Sequence, residues 1–393
     1  MSRSRRLIWI KSVMLAVPIY SMMANALPVW ARDDIEAACT KFFWAGADSS
    51  VQGKCAVSWP MVARPIELGG LGVLDLRLMG TALQVRWLWL QGNPGEDHAW
   101  SELPIKVAPE VRCLFEASVF FVVGDGKSAL FWTDKWIEGK SIEDLAPALL
   151  PLVSRRTKAS MTVAEGLQRN NWIRKLTGGL SVQAIVEYLS LWSRLREITL
   201  VHSRQDALVW RWSVDGQFSV RSAYRLLQEG LVSMPSASTL WSTWVPLRVK
   251  IFLWLAWRRR LWTADRRRRH DLETHTVCLL CNAQDETSDH LFFGCAFMMQ
   301  VWDAFLGYLG LARPSHLGCE SIFDWWDEVR ALCRRRGGDS LFAFICWSIW
   351  KERNARCFRE ESTPVIPLVS SIKDVGHEWV RAGAKALGCI IRE

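Results

Sequence analysis

The chain has 393 residues, half of them hydrophobic and 23% charged, which excludes wholesale disorder and allows two or three domains of ordinary size. A formal net charge of +9 favours an anionic partner, nucleic acid before a membrane surface, and says nothing of fold. Twenty-four tryptophans against four tyrosines supply a large core and spare aromatic faces. The N-terminus resembles a leader, with Arg3, Arg5 and Arg6 before an apolar run and the small triplet Ala24-Asn25-Ala26. Lys11, Pro18 and Asn25 interrupt that run, while Leu7, Ile10, Met14, Val17 and Tyr20 recur at helical spacing. An amphipathic core helix to about Pro18 is therefore expected, not a signal peptide. A second helix is expected near Asp33–Trp44, opened by acids suited to a positive helix end. A short strand around Cys55–Trp59 follows, and Gly69-Gly70-Leu71-Gly72 turns the chain into a helix over Leu74–Leu90.

Residues 93–215 change character. Phe120–Val123 reads as a strand, Gly124-Asp125-Gly126 as a turn and Ala129–Trp132 as the return strand. Pro147 and Pro151 bracket a loop, and Val163–Ile198 suggests two helices broken at Gly178-Gly179. Leu208, Trp210, Trp212 and Val214 alternate on a strand, Asp215-Gly216 signals a hairpin with return over Gln217–Val220, and Ser219 can cap the helix carrying Tyr224. Val249–Trp257 is apolar nearly all round, as in a buried helix, and Thr263 can cap a short helix bearing Arg266–Arg269. Helices are expected over Ala296–Leu309, Asp324–Arg336 and Leu341–Phe358. The apolar stretch Leu341–Trp350 is too short to span a membrane.

The chemistry concentrates in one cluster. Eleven cysteines are too few and too scattered for a disulfide scaffold, but Cys278, Cys281, His290 and Cys295 have the spacing of a metal site in a reducing compartment. Two cysteines two residues apart make a knuckle for one edge of a tetrahedral zinc, with Asn282 suited to the tight turn. His290 and Cys295 are five residues apart, about 140° round a regular helix, so the chain must leave the helix at Gly294. Four protein ligands leave no open position, which makes one Zn2+ structural, worth on the order of 10 kcal/mol of binding energy. The zinc-deaminase order, histidine and glutamate before the CxxC, is not this one. Four unrelated core residues are the plain alternative. Beside the cluster stand Arg258, Arg259, Arg260, Arg266, Arg267, Arg268 and Arg269, with Arg248 just outside and Trp254, Trp257 and Trp262 interleaved. Guanidinium forks grip phosphate and rings stack on bases, so the run suits RNA or DNA. A solvated basic helix beside core tryptophans is the alternative, and a nuclear-import signal is a further reading of the same run.

In family order, nearly the whole chain resembles the C-terminal part of a plant LINE-type (non-LTR) retrotransposon reverse transcriptase. The resemblance rests on Pro18-Ile19-Tyr20, Phe43-Trp44, Arg64-Pro65, Gly69–Gly72, Trp87-Leu88-Trp89, Gly124–Gly126, Phe131-Trp132, Asp134 and Trp136. It continues through Asp215-Gly216, Phe218-Ser219-Val220, Ser222-Ala223-Tyr224, the four ligands, Trp302, Trp347 and Trp350-Lys351-Glu352-Arg353-Asn354. It implies thumb-like helices over 1–92 after a missing palm, a connecting β-containing region over 93–215, the reverse-transcriptase zinc-binding domain over 216–312 and a helical tail over 313–393. The expected class is α+β, mostly helical and multi-domain, with a small Cys3His zinc module.

The family's catalytic parts are not expected here. Its polymerase holds two metals on aspartates that follow an aromatic and a small residue, whereas Asp33-Asp34 follows Ala31-Arg32 with 32 residues before it. Asp125 and Asp134 read as turn residues rather than paired metal ligands. After Phe358, where the family often carries ribonuclease H, the acids Glu360, Glu361, Asp374, Glu378 and Glu393 lack a strand-rich frame. No P-loop or Ser-His-Asp grouping stands out. The expected function is non-catalytic and zinc- and nucleic-acid-binding, in the nucleus or otherwise the cytoplasm, with no membrane and no small-molecule substrate. A structural or protein-interaction module, an idle pseudogene product and a subunit of a separately encoded polymerase palm are the alternatives.

Overall fold

Among the described residues the chain is 60% helical and 4% strand, so the expected mostly helical α+β class is what forms. The computed structural model describes residues 1–23, 25–46, 55–93, 106–232, 237–272, 275–315, 318–333 and 336–391; Ala24 of the leader-like triplet and Glu393 lie outside them. Contacts divide the chain into two compact units. One comprises Met1–Val17, Val29–Asp75 and Leu231–Glu393, the other Pro18–Pro28 and Leu76–Gly230. Of the four sequence segments, 93–215 falls in the second unit, 313–393 in the first, and the other two contribute to both.

In the first unit, the helix Arg3–Trp9 runs into a π-turn, Ile10–Met14, where the Leu15 N–H bonds the Ile10 carbonyl at 3.0 Å. The inserted residue moves the buried stripe one place along. Leu7, Ile10 and Leu15 are buried, Met14 is half-buried, and Val17 and Tyr20 are exposed, so the expected stripe holds only for its first two members. The next helix, Val29–Trp44, starts four residues before Asp33, which places the acidic pair away from the helix start. No strand forms at Cys55–Trp59. Ser58 takes an extended cap conformation and Pro60 stands in the first turn of a helix, Trp59–Ala63, where a preset φ helps and a missing N–H costs nothing.

Gly69 and Gly72 turn with φ of 79° and 61°, and a Cβ on Gly70 would overlap the Arg64 carbonyl oxygen. The turn presents the Gly69 carbonyl to Trp254 Nε1 (2.8 Å) and Arg258 (2.6 Å). Those donors lie at the end of the helix Leu247–Trp257, seven of whose residues are buried, from Val249 to Ala256. Each large apolar side chain so buried contributes about 1.5–3 kcal/mol. The C-terminal helices are Ile322–Leu332, Arg336–Arg359 and Val365–Arg381. Residues Leu341 to Cys346 are buried on every side by protein. No helix among the described residues is long and apolar enough to cross a membrane.

In the second unit, β1 (Val119–Val122) pairs antiparallel with β2 (Ala207–Trp210), Val119 opposite Trp210, and not with a local return strand. The backbone donors of the turn and of the expected return strand are taken elsewhere, those of the turn by Asp206. Its Oδ1 accepts the N–H groups of Gly124 (2.7 Å) and Gly126 (2.8 Å), and its Oδ2 those of Ser128 (2.9 Å) and Ala129 (3.1 Å). The turn is thus wound round one carboxylate, and in the expected return strand the Leu130 N–H goes to Asp134 and the Phe131 N–H to the Met161 carbonyl at 2.8 Å. Burial alone would raise the Asp206 carboxyl, but the four N–H donors outweigh it and hold it below the usual range. Asp125 and Asp134 each accept a backbone N–H within their own turn, Lys127 at 3.2 Å and Leu130 at 2.7 Å. The break at Gly178 precedes a helix, Val182–Leu195, capped by Ser181, but the first half is only a short helix, Val163–Leu167, and two 3-10 turns. Asp215-Gly216 turns without a return strand, because Ser219 and Ser222 form a reciprocal cap that draws the chain into the helix Val220–Leu226.

Candidate metal centre

The four expected ligands come together in the first unit, their donor atoms all within 4.8 Å of one another. Cys278 Sγ lies 3.9 Å from Cys295 Sγ, and Cys281 Sγ lies 3.4 Å from His290 Nε2. A tetrahedral zinc with bonds of about 2.3 Å to sulfur and 2.0–2.1 Å to nitrogen sets ligand–ligand edges of about 3.8 and 3.6 Å. The donors therefore fit one such ion, and a zinc held there by all four would be a closed cross-link.

Local structure explains the convergence. The Asn282 N–H bonds the Cys278 carbonyl at 2.8 Å and Asn282 takes φ 54°, which closes the knuckle. His290–Gly294 is a π-turn, and Cys295 is extended at φ −80°, ψ 129° as the cap of the helix Ala296–Tyr308. The wider π-turn, rather than a glycine-only conformation at Gly294, brings the fifth residue round towards the histidine. The Cys295 bond and then burial push the Cys278 thiol up to about 12, while the same bond lowers Cys295. A bound zinc would deprotonate all three thiols.

The loop between the ligand pairs is held by Glu286, which the sequence did not single out, and by residues of the segment Trp350–Asn354 and just beyond it. Glu286 is fully buried, and its carboxylate takes Arg353 Nη2 at 2.6 Å and Nε at 2.9 Å; Arg353 is itself 1% exposed. Glu286 Oε1 also accepts the Ala264 N–H at 2.7 Å, and its carbonyl accepts from Asp265 N at 3.2 Å, so it caps the helix Ala264–Arg268. Thr263 stands at the expected cap position but donates its hydroxyl to Asp265 at 2.6 Å instead. Arg356 reaches the knuckle carbonyls of Leu279 (3.1 Å) and Leu280 (3.3 Å), pairs with Glu352 at 2.9 Å and lies over the Phe297 ring. The segment Trp350–Asn354 and its continuation thus grip the metal loop directly.

The arginine run divides. Arg258 bonds Gly69 and lies over Trp254. Arg266 is buried over Trp262 and bonds the Arg260 carbonyl. Arg267 contacts Cys357 Sγ and Phe358. Arg259 and Arg269 are exposed but paired, with Asp289 at 2.8 Å and Asp265 at 2.6 Å. Arg260 and Arg268 are exposed. Trp254 is fully buried, whereas Trp257 and Trp262 are half-buried.

A protein-family profile described as zinc-binding in reverse transcriptase matches residues 218–302, which hold all four ligands. The chain is also similar to an Arabidopsis thaliana protein that carries the provisional name of a ribonuclease H protein, at 29% identity over 417 residues. The similarity covers 97% of this chain and 65% of the relative, so the chain spans less than two thirds of that protein's length. The two likenesses mark the chain as retrotransposon-related, with a zinc-binding segment.

Proposed function

We propose that the chain is a non-catalytic, zinc- and nucleic-acid-binding part of a plant LINE-type (non-LTR) retrotransposon reverse transcriptase, derived from its C-terminal region and acting in the nucleus. The observation that carries this is the Cys3His group inside the reverse-transcriptase zinc-binding match, with the arginine run fastened to the same loop through Glu286 and Asp289. In this reading one structural Zn2+ fixes the loop, and Arg259, Arg260, Arg268 and Arg269 face phosphate. The test uses the full chain, with zinc content and fluorescence anisotropy on labelled RNA and DNA across a salt series. About one zinc per chain is expected, lost in Cys278→Ser/Cys281→Ser. Four phosphate contacts give a log–log salt slope of about −3 to −4. Zinc without salt-sensitive binding would favour a structural or protein-interaction module, and no zinc would sink the site.

The relative's name raises ribonuclease H chemistry, which requires grouped carboxylates to hold metal. The group of three or more candidate metal ligands among the described residues is the Cys3His set, and Asp33 pairs with Arg32 at 3.2 Å. Cleavage of an RNA–DNA hybrid by the purified chain with Mg2+ would overturn the non-catalytic reading. One observation favours a second reading, association with a separately encoded palm: Ile8, Trp9, Val13 and Val17 leave an exposed apolar face on the N-terminal helix. That reading requires primer extension by a palm-containing partner to rise on adding this chain and to fall again with Val17→Glu.

A further inference from the structure

In the first unit the helices Arg3–Trp9, Leu247–Trp257 and Arg336–Arg359, with the loop at 260–262, enclose a cavity of about 290 Å³. Its walls are aromatic. Phe252 packs edge-on to Trp347 at 5.2 Å and stacks on Trp350 at 6.0 Å, and Trp262 lines the same space. Three guanidinium side chains, Arg3, Arg248 and Arg260, also line it, and no carboxylate does. Among the described residues none of the three forms an ion pair. Burial and then the like charge of Arg6 hold Arg3 below its usual range. Three guanidinium groups without ion pairs are thus gathered on the same walls as the rings.

The combination selects its ligand. A bare phosphate would find the rings useless, and an apolar side chain or lipid tail would leave three cations unsatisfied. A planar group joined to an anion satisfies both halves, and the volume lies at the small end for ligand pockets, about 300 Å³. We propose that the cavity takes one nucleotide of a single-stranded RNA or DNA, its base among Phe252, Trp262, Trp347 and Trp350 and its phosphate on Arg3, Arg248 and Arg260. This rests on the nucleic-acid-binding reading above and adds the form of the partner, since a duplex keeps its bases stacked and cannot present one without flipping it out.

The test uses the full chain with fluorescein-labelled oligouridylate, oligothymidylate and a duplex of equal length. The single strands should bind about tenfold or more tightly than the duplex. Arg3→Ala/Arg248→Ala should remove that preference and leave duplex affinity in place. Trp262→Ala should weaken single-strand binding by about 5- to 140-fold, the range for loss of one stacked base, and Trp262→Phe should restore most of it. Photocrosslinking of an iodouridine strand to the unaltered chain, which needs no folded variant, should map to the wall rings. Equal affinity for strand and duplex, or crosslinks confined to Arg268 and its neighbours with no effect of Arg3→Ala/Arg248→Ala, would overturn the pocket and leave the general reading standing. Absence of binding to all three probes would overturn both.

Discussion

Arg353→Met should be among the most damaging substitutions in the chain. The Arg353 guanidinium and the Glu286 carboxylate are 1% and 0% exposed and share contacts of 2.6, 2.9 and 3.1 Å. Removing the cation leaves a buried carboxylate with the Ala264 N–H as its remaining close donor. Breaking one side of such a pair costs about 3–5 kcal/mol, because the surviving charge stays desolvated. Glu286→Gln leaves Arg353 unpaired and should cost a similar amount, somewhat less because the amide oxygen can still cap Ala264. The double variant Glu286→Gln/Arg353→Met removes both charges, so it should be more stable than Arg353→Met alone. Its shortfall from the sum of the singles should reach about 3 kcal/mol. Urea denaturation followed by tryptophan fluorescence, with zinc held constant, measures all four corners of the cycle. A cost below about 1 kcal/mol for Arg353→Met, or additive singles, would show that the pair is not buried as described.

Chelation should unfold the 278–295 loop and its surroundings, since a zinc worth on the order of 10 kcal/mol rivals the whole stability of a domain; an unchanged near-ultraviolet circular dichroism spectrum after complete zinc removal would refute this. Asp206→Asn should destabilise the second unit by about 2–3 kcal/mol at neutral pH, because an amide cannot accept all four N–H bonds. The folded-state carboxyl is depressed, so its contribution is full above the unfolded value near 4 and is lost as pH falls through the folded value. The gap between Asp206→Asn and the unaltered chain should therefore narrow in acid, and a constant gap would contradict the assignment. Arg268→Ala should flatten the salt slope of RNA binding by about 0.7–0.9 with little loss of stability, whereas Arg266→Ala, buried over Trp262, should lower the melting temperature. The reverse pattern would show that the two arginines have been assigned the wrong roles.

What was legible in the sequence was local. The all-apolar helix before Arg258, the cap at Ser219 and the glycine turn at 69–72 each depend on residues within a few positions of one another, and the four ligands fall within one stretch of 18 residues. What was not legible depended on distant partners or on a one-residue irregularity. A single inserted residue in the π-turn at Ile10–Met14 moved the buried face off Val17, and no periodicity argument detects that. Phe120–Val123 was recognisable as a strand, but its partner lies more than 80 residues on, because the donors of the local turn and return go to Asp206, Asp134 and the Met161 carbonyl. A glutamate between two ligand pairs and an arginine 67 residues later carry no mutual signal in one sequence.

The arginine run shows why this matters for function. As a string it is one basic patch; in the fold, Arg258, Arg266 and Arg267 are committed to protein contacts, and two of the exposed ones are paired with acids. The loop that anchors them is pinned twice, by the Cys278–Cys281 and His290–Cys295 pairs at its ends and by Glu286 with Arg353 at its middle. Two pins on one short loop cannot be independent. If zinc holds the ends, Glu286 meets Arg353 with its ordering already achieved, so Arg353→Met should cost more with zinc bound than after chelation. Equal costs in the two states would mean that the ion pair orders the loop unaided, and that zinc serves only the knuckle and the helix Ala296–Tyr308 beyond it.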